Sequence, residues 1–139
     1  MIDQGSLIEA AKQAAKKAYA PYSKFRVGAA VLCEDGTVVT GVNVENRSFG
    51  LTICAERSAI AAAVSAGNRS FVAIAVAGLD AAYPLPPCGA CRQVLNEFLD
   101  RDAPVFFCGD DTETTKSTVG ALLPFDSLEE LKNDVDGSA

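Results

Sequence analysis

The sequence predicts an α/β protein built on a five-stranded mixed sheet with helices on both faces. Two observations carry this. Segments of helical and strand character alternate in the order α-β-β-α-β-α-β-β-α, and the first two strand segments flank Asp35-Gly36, a dipeptide favoured in hairpin turns. With 139 residues, the chain has the length of one domain, 1–139, able to bury about two thirds of its unfolded surface.

Helix one is expected to open at Ser6-Leu-Ile-Glu9, the pattern of a capping box, and to run through alanine-rich sequence to about Ala20, where Pro21 stops it. Residues 27–34 and 37–44 are the first two strands, joined by a two-residue turn at Asp35-Gly36. Residues 54–66 form a second helix ending at Gly67, and the apolar run 71–79 is a buried third strand. A proline-rich loop, 84–87, leads into a helix from Cys88 to about Asp100. Residues 104–109 and 116–119 supply two more strands, and a short final helix opens at Ser127 and passes Glu130. The tail from about Asn133 is expected to be disordered.

Lys and Arg total 12 against 18 Asp and Glu, a net charge of −6. Nucleic-acid binders carry basic patches that displace counterions, so a polymeric nucleic-acid partner is not expected. No run approaches the roughly 18 apolar residues of a membrane span, and no basic-then-apolar leader opens the sequence. A cytoplasmic protein without a membrane partner is the expectation. Five cysteines in such a chain point to metal or catalysis more than to disulfides. Cys33 and Cys108 sit in apolar strand segments and read as core residues.

The other three cysteines occupy a distinctive pattern: Cys54-Ala-Glu56 and, later, Pro87-Cys88-Gly-Ala-Cys91, in a chain with no histidine. Cys88 and Cys91 are spaced to share a helix face, and Cys54 and Cys88 each begin a helix, where the partial positive charge favours the thiolate that zinc requires. Three protein ligands leave one tetrahedral position of Zn²⁺ open, the mark of a catalytic site. Glu56, in the first turn, can reach past that helix end without being a ligand. Three thiolates overcompensate the ion's charge, so a cation beside them is needed. Arg57, three residues after Cys54, is the first candidate, and Arg92 the second. A closed structural zinc site and a redox dithiol are the alternatives; the first needs a fourth ligand from Cys33, Cys108 or a carboxylate, and the second does not explain Cys54-Ala-Glu56. On the second strand, Asn43 and Glu45 are two apart and share a face, offering an amide and a carboxylate to a sugar's hydroxyl groups.

From Tyr22-Ser-Lys-Phe-Arg-Val-Gly-Ala through Asn43-Val-Glu-Asn and Cys54-Ala-Glu-Arg to Pro87-Cys-Gly-Ala-Cys-Arg92, over about residues 6–125, the chain resembles the small homotetrameric cytidine deaminases. The resemblance implies a three-layer α-β-α fold and one zinc ion per subunit held by Cys54, Cys88 and Cys91. It implies hydrolytic deamination of cytidine and 2′-deoxycytidine, a pyrimidine-salvage reaction, with Glu56 carrying protons and Arg57 hydrogen-bonding the ligand sulfurs. Asn43 and Glu45 match the ribose-binding pair, Phe25 a wall of the base pocket, and Ala55 the residue whose backbone meets the pyrimidine edge. Phe49 and Phe125 match aromatic residues that the family contributes to neighbouring subunits. Phe49 stands where many members have tyrosine, and Phe125 directly follows its proline where many members have intervening residues. A related family with the same metal motif acts on the cytosine antibiotic blasticidin S, which is the rival substrate. The second helix is apolar nearly all round, from Ala59 to Val64, so contacts between subunits are expected to cover part of it.

Overall fold

The computed structural model describes residues 2–132, so the tail expected to be disordered from Asn133 lies outside the described residues. Its elements are α1 (Gln4–Ala15), β1 (Val27–Cys33), β2 (Val38–Val42), a 3-10 turn (Phe49–Leu51), α2 (Ala55–Ser65), β3 (Phe71–Gly78), α3 (Gly89–Phe98), β4 (Pro104–Cys108), β5 (Thr115–Thr118) and α4 (Val119–Leu122). The strands form one sheet in the order β2-β1-β3-β4-β5, with β3 and β4 parallel and every other pair antiparallel. This is the mixed five-stranded sheet that the order of segments predicts.

Side chains alternate between the two faces, and each face has its own core. Val31, Ile74, Val76, Val105 and Phe107 pack with Ala59, Ile60 and Ala63 of α2 and Leu95 of α3. Ala30, Ala73, Ala75, Phe106 and Cys108 pack on the other face beneath Leu7, Ile8 and Ala11 of α1. Three layers result, and small side chains on both sides let the helices lie close. The contact of α2 with β2 is tight: a Cβ at Gly41 would lie 2.3 Å from the backbone nitrogen of Ala59 and 2.8 Å from the carbonyl oxygen of Ala55.

Several boundaries differ from expectation. The first helix is capped by Asp3, whose carboxylate accepts from the N–H and hydroxyl of Ser6, so Ser6 is inside the helix and not its cap. Both Asp3 and Ser6 suit a cap, and the chain takes the earlier one. That helix ends at Ala15, short of Ala20, because Tyr19 leaves it to pair with the backbone at Asn43 and Glu45, a tertiary bond that local sequence does not announce. The hairpin loop spans three residues, 34–36: Gly36 donates to the Cys33 carbonyl with φ +92°, and Cys33 and Thr37 close the ladder. A turn followed by a left-handed glycine is the usual three-residue solution. β5 stops at Thr118, one residue short of the expected Val119, because the Thr118 hydroxyl caps α4 by accepting from the Ala121 N–H. The final helical residues, 129–132, follow a turn at 127–128 and reach the edge of the described chain.

Replacing Gly41 with Ala should push α2 off the sheet and destabilise the protein by about 1–3 kcal/mol, the range for overpacking. Thermal unfolding checks this; an unchanged midpoint would mean that the helix can move aside at no cost.

Candidate active site

β1 begins at the sheet end where β2, β3 and β4 finish, since Gly28 pairs with Val42, Val27 with Gly78 and Ala77 with Cys108. Two helix N-termini meet at this end. Cys54 is the N-cap of α2 and Cys88 that of α3, one residue outside the helices that they were expected to begin. An N-cap side chain ordinarily accepts a hydrogen bond from the first turn. Neither cysteine does so, which leaves both sulfurs turned to a common point. Cys91, in the first turn of α3, joins them: the sulfurs of Cys54 and Cys88 are 3.8 Å apart, those of Cys88 and Cys91 3.4 Å, and all three lie within 4.8 Å of one another.

These spacings fit zinc. Bonds of about 2.3 Å in a tetrahedron place the sulfurs about 3.8 Å apart. All five cysteines are free. Among the described residues, no fourth cysteine or carboxylate completes the cluster, and Cys33 and Cys108 are buried in the two separate cores. Nothing among the described residues supplies the fourth ligand of a closed site.

The charges around the sulfurs are graded. The hydrogen bond from the Cys91 thiol, then Arg57, hold the Cys54 thiol well below its ordinary range, while Cys91 is pushed up because it keeps the proton that it shares with Cys54 and is buried. Arg57 Nη2 donates to Cys54 Sγ at 3.4 Å, and its buried Nε has no partner among the described residues. Arg92 makes no hydrogen bond to the sulfurs: its Nε donates to the Pro87 carbonyl at 2.8 Å and its Nη1 to the Leu122 carbonyl at 3.2 Å. Adjacency to Cys91 in sequence suggests otherwise; the guanidinium instead braces the loop that delivers Cys88.

Glu56 follows Cys54 into the first turn of α2 and is only 5% exposed. Burial disfavours its charged form and raises its pKa from 4.5 to about 7. It lines a pocket of about 190 Å³ with Cys54, Ala55, Cys88 and Asn43, walled by Leu85 and Pro86. An adjoining cavity of about 480 Å³ holds Glu45, Phe49, Tyr22 and Ser23, and Thr52 lines both. β2 ends at Val42, so Asn43 and Glu45 lie beyond the strand. The alternation persists, with Val44 exposed between them and bridged to Tyr19 and Ile53.

The family model described as "Cytidine and deoxycytidylate deaminase zinc-binding region" matches residues 1–107. The chain belongs to that deaminase family. A protein named cytidine deaminase from Halalkalibacterium halodurans is 48% identical over 133 residues, which are 96% of this chain and 100% of that one. The solved structure of a cytidine deaminase from Burkholderia pseudomallei shares 48% identity and a TM-score of 0.84, covering 88% of this chain and 98% of that one. One from Mycobacterium tuberculosis shares 42% and a TM-score of 0.80, covering 91% and 98%. As a member of this deaminase family, the chain has zinc as its cofactor, and its three-cysteine cluster is able to hold that ion.

The deaminase site contains more than the motif residues. Glu45 is held by the backbone N–H groups of Tyr22 and Ser23 at 3.0 and 3.1 Å and by the Ser23 hydroxyl, and the hydroxyl's bond, first among the causes, lowers its pKa. Asn43, 8% exposed, spends its amide on the Val27 N–H and the Phe25 carbonyl, at 2.9 and 2.8 Å, so it clamps the entry to β1 as well as lining the pocket. Phe25 is half-buried and lines neither cavity; Val27, two residues on, lines the inner one. Phe49 is 74% exposed, its ring 6.0 Å from that of Tyr22, and Phe125 is 91% exposed and lines neither cavity. Ser23, Thr52 and Leu85 are site residues that sequence reasoning misses. Only Ser23, inside the Tyr22-to-Ala29 segment that carries the resemblance, has a signal.

In metal-free protein, Glu56 should be neutral below pH about 7 and ionised above it. The carboxyl infrared band lost in Glu56→Gln reports this titration. A midpoint at the ordinary 4.5 would mean that burial does not set its charge.

Proposed function

We propose that this chain hydrolyses cytidine and 2′-deoxycytidine to uridine and 2′-deoxyuridine with release of ammonia, with Glu56 as its proton carrier. One observation carries the reading: the buried carboxyl group of Glu56 shares a pocket of about 190 Å³ with Cys54 and Cys88, two of the three cysteines whose sulfurs are grouped to hold a metal ion. Zinc, held by Cys54, Cys88 and Cys91, supplies Lewis-acid activation of water at neutral pH.

Glu56 does the rest of the proton work. A pKa near the working pH lets one group both accept and return a proton efficiently. Glu56 accepts the proton of the attacking water, delivers it to N3 of the ring, and then assists protonation of the departing amine. Its burial keeps bulk water from competing for that proton. Arg57 draws negative charge off Cys54 through its hydrogen bond. The backbone of Ala55 meets the pyrimidine edge, with Leu85 as a wall of the base pocket; Phe25, which lines neither cavity of the single chain, is the second wall only as the family resemblance assigns it. Asn43 and Glu45 receive the ribose: Ser23 and two backbone N–H groups orient the Glu45 carboxylate, which accepts from hydroxyl groups and repels a phosphate. A nucleoside suits this set better than a free base or a nucleotide.

Phe125, exposed and outside both cavities of its own chain, is assigned to the pocket of a neighbouring subunit, and Phe49, which lines the outer cavity of its own chain, is assigned to a neighbour as well by the family resemblance; the working form is then an oligomer, a tetramer with shared sites. Exposed Ala61 and Ala62 on α2 support such contacts. The chain acts as one deaminase domain, 1–139, in the cytoplasm and in pyrimidine salvage. Among the described residues, no helix is long and apolar enough to cross a membrane.

Ultraviolet absorbance of cytidine incubated with the protein, with and without a zinc chelator, tests the reaction; conversion to uridine that the chelator abolishes is expected. Glu56→Gln should lower turnover by about 10²- to 10⁴-fold, typical of a positioned acid-base group, while retaining zinc. Near-normal turnover in that variant would sink the mechanism, and faster turnover of blasticidin S than of cytidine would reassign the substrate.

A further inference from the structure

A hydrogen-bond network that plays no part in the proton chemistry ties the chain after α4 to α3. Arg101, in the turn beyond α3, is its centre. Its Nη1 donates to Asn96 Oδ1 at 2.9 Å, and its Nη2 donates to the carbonyls of Leu123 at 2.7 Å and Pro124 at 3.2 Å. The Asn96 side chain, 2% exposed, passes the connection on: Nδ2 donates to Asp126 Oδ2 at 2.6 Å. Asp126 in turn accepts from the Leu128 N–H at 3.0 Å. The backbone is fixed as well, since the Gly120 N–H donates to the Arg101 carbonyl at 2.7 Å.

The outcome is a segment held on both sides of one residue. Pro124 is fixed through its carbonyl and Asp126 through its carboxylate, yet Phe125 between them is 91% exposed and packs into neither cavity of its own chain. Ordering a segment costs conformational entropy, ordinarily offset by burying its apolar side chains. Here a buried amide and a five-donor guanidinium are committed to a segment whose largest apolar group faces water. Such an arrangement lowers the ordering cost of a contact that Phe125 makes elsewhere, because the segment is already in place when the contact forms.

We propose that Arg101 and Asn96 are positioning residues that hold residues 120–126 so that Phe125 is presented, already ordered, to the nucleoside pocket of a second copy of this chain. The proposal rests on the reading above that Phe125 completes that pocket across a subunit boundary. Arg101 itself lines neither cavity of its own chain and makes no hydrogen bond to the three cysteines.

A double-mutant cycle on the zinc-loaded oligomer tests it, reading KM and kcat for cytidine. Phe125→Ala should raise KM by on the order of tenfold, as loss of a buried aromatic contact does. Arg101→Ala should raise KM by a similar factor with kcat and zinc content unchanged, and adding it to Phe125→Ala should raise KM no further, since nothing remains to be positioned. Arg101→Lys, which keeps the charge but loses the fork, should fall in between and serves if the alanine variant does not fold. KM effects that multiply in the double variant would overturn the proposal, as would an Arg101→Ala variant with a lowered unfolding midpoint and wild-type KM beside a Phe125→Ala variant with raised KM. A wild-type KM in Phe125→Ala overturns it through its premise, and is told apart because the single phenylalanine variant is then already silent.

Discussion

The convergence of two helix N-termini on one point is the constraint on which the rest of this structure depends. α2 and α3 come from different parts of the chain and lie on the same face of the sheet. Their N-caps nevertheless bring Cys54 and Cys88 to a sulfur separation of 3.8 Å. Two features set that approach. The bare backbone at Gly41 lets α2 settle against β2, and the loop ahead of α3 is braced by Arg92 on Pro87. With cysteine in place of the usual capping residues, neither sulfur is taken up by a first-turn N–H group, and both are left free to face a common point.

Given that convergence, the placement of Glu56 follows from helix geometry. Two residues into α2, it lies beside the sulfurs while being covered by the loops that also close the pocket. Its raised pKa is a consequence of burial, and burial is a consequence of where α2 starts. Arg57, one position on, turns back to the Cys54 sulfur. Cys54, Glu56 and Arg57 thus lie within one helical turn, so a shift in its register would disturb all three together.

This explains which parts can be read in advance. The three clustered cysteines and Glu56 are coded within two short segments, and the strand faces are coded by alternation, so both groupings are legible in the sequence. The pocket walls are not local: Leu85 and Thr52 become neighbours of Glu56 only when loops from different strands meet. The end of α1 at Ala15 depends on Tyr19 pairing with the strand-like segment at Val44, and its start on a choice between two adequate caps, Asp3 and Ser6. Arg92 misleads because proximity along the chain is not proximity to the sulfurs, and its side chain runs to Pro87 and Leu122. Asn43 shows a further limit. Its residue type suits a sugar, but nothing local reveals that its amide also closes the gap between Phe25 and Val27.

Zinc-edge X-ray absorption of the metal-loaded protein addresses the central claim most directly, that three sulfurs and no fourth protein sulfur hold the ion. The account predicts three sulfur neighbours at about 2.3 Å and one lighter neighbour in the remaining position. Four sulfurs would contradict it, because Cys33 or Cys108 would then have to leave its core and the site would be closed.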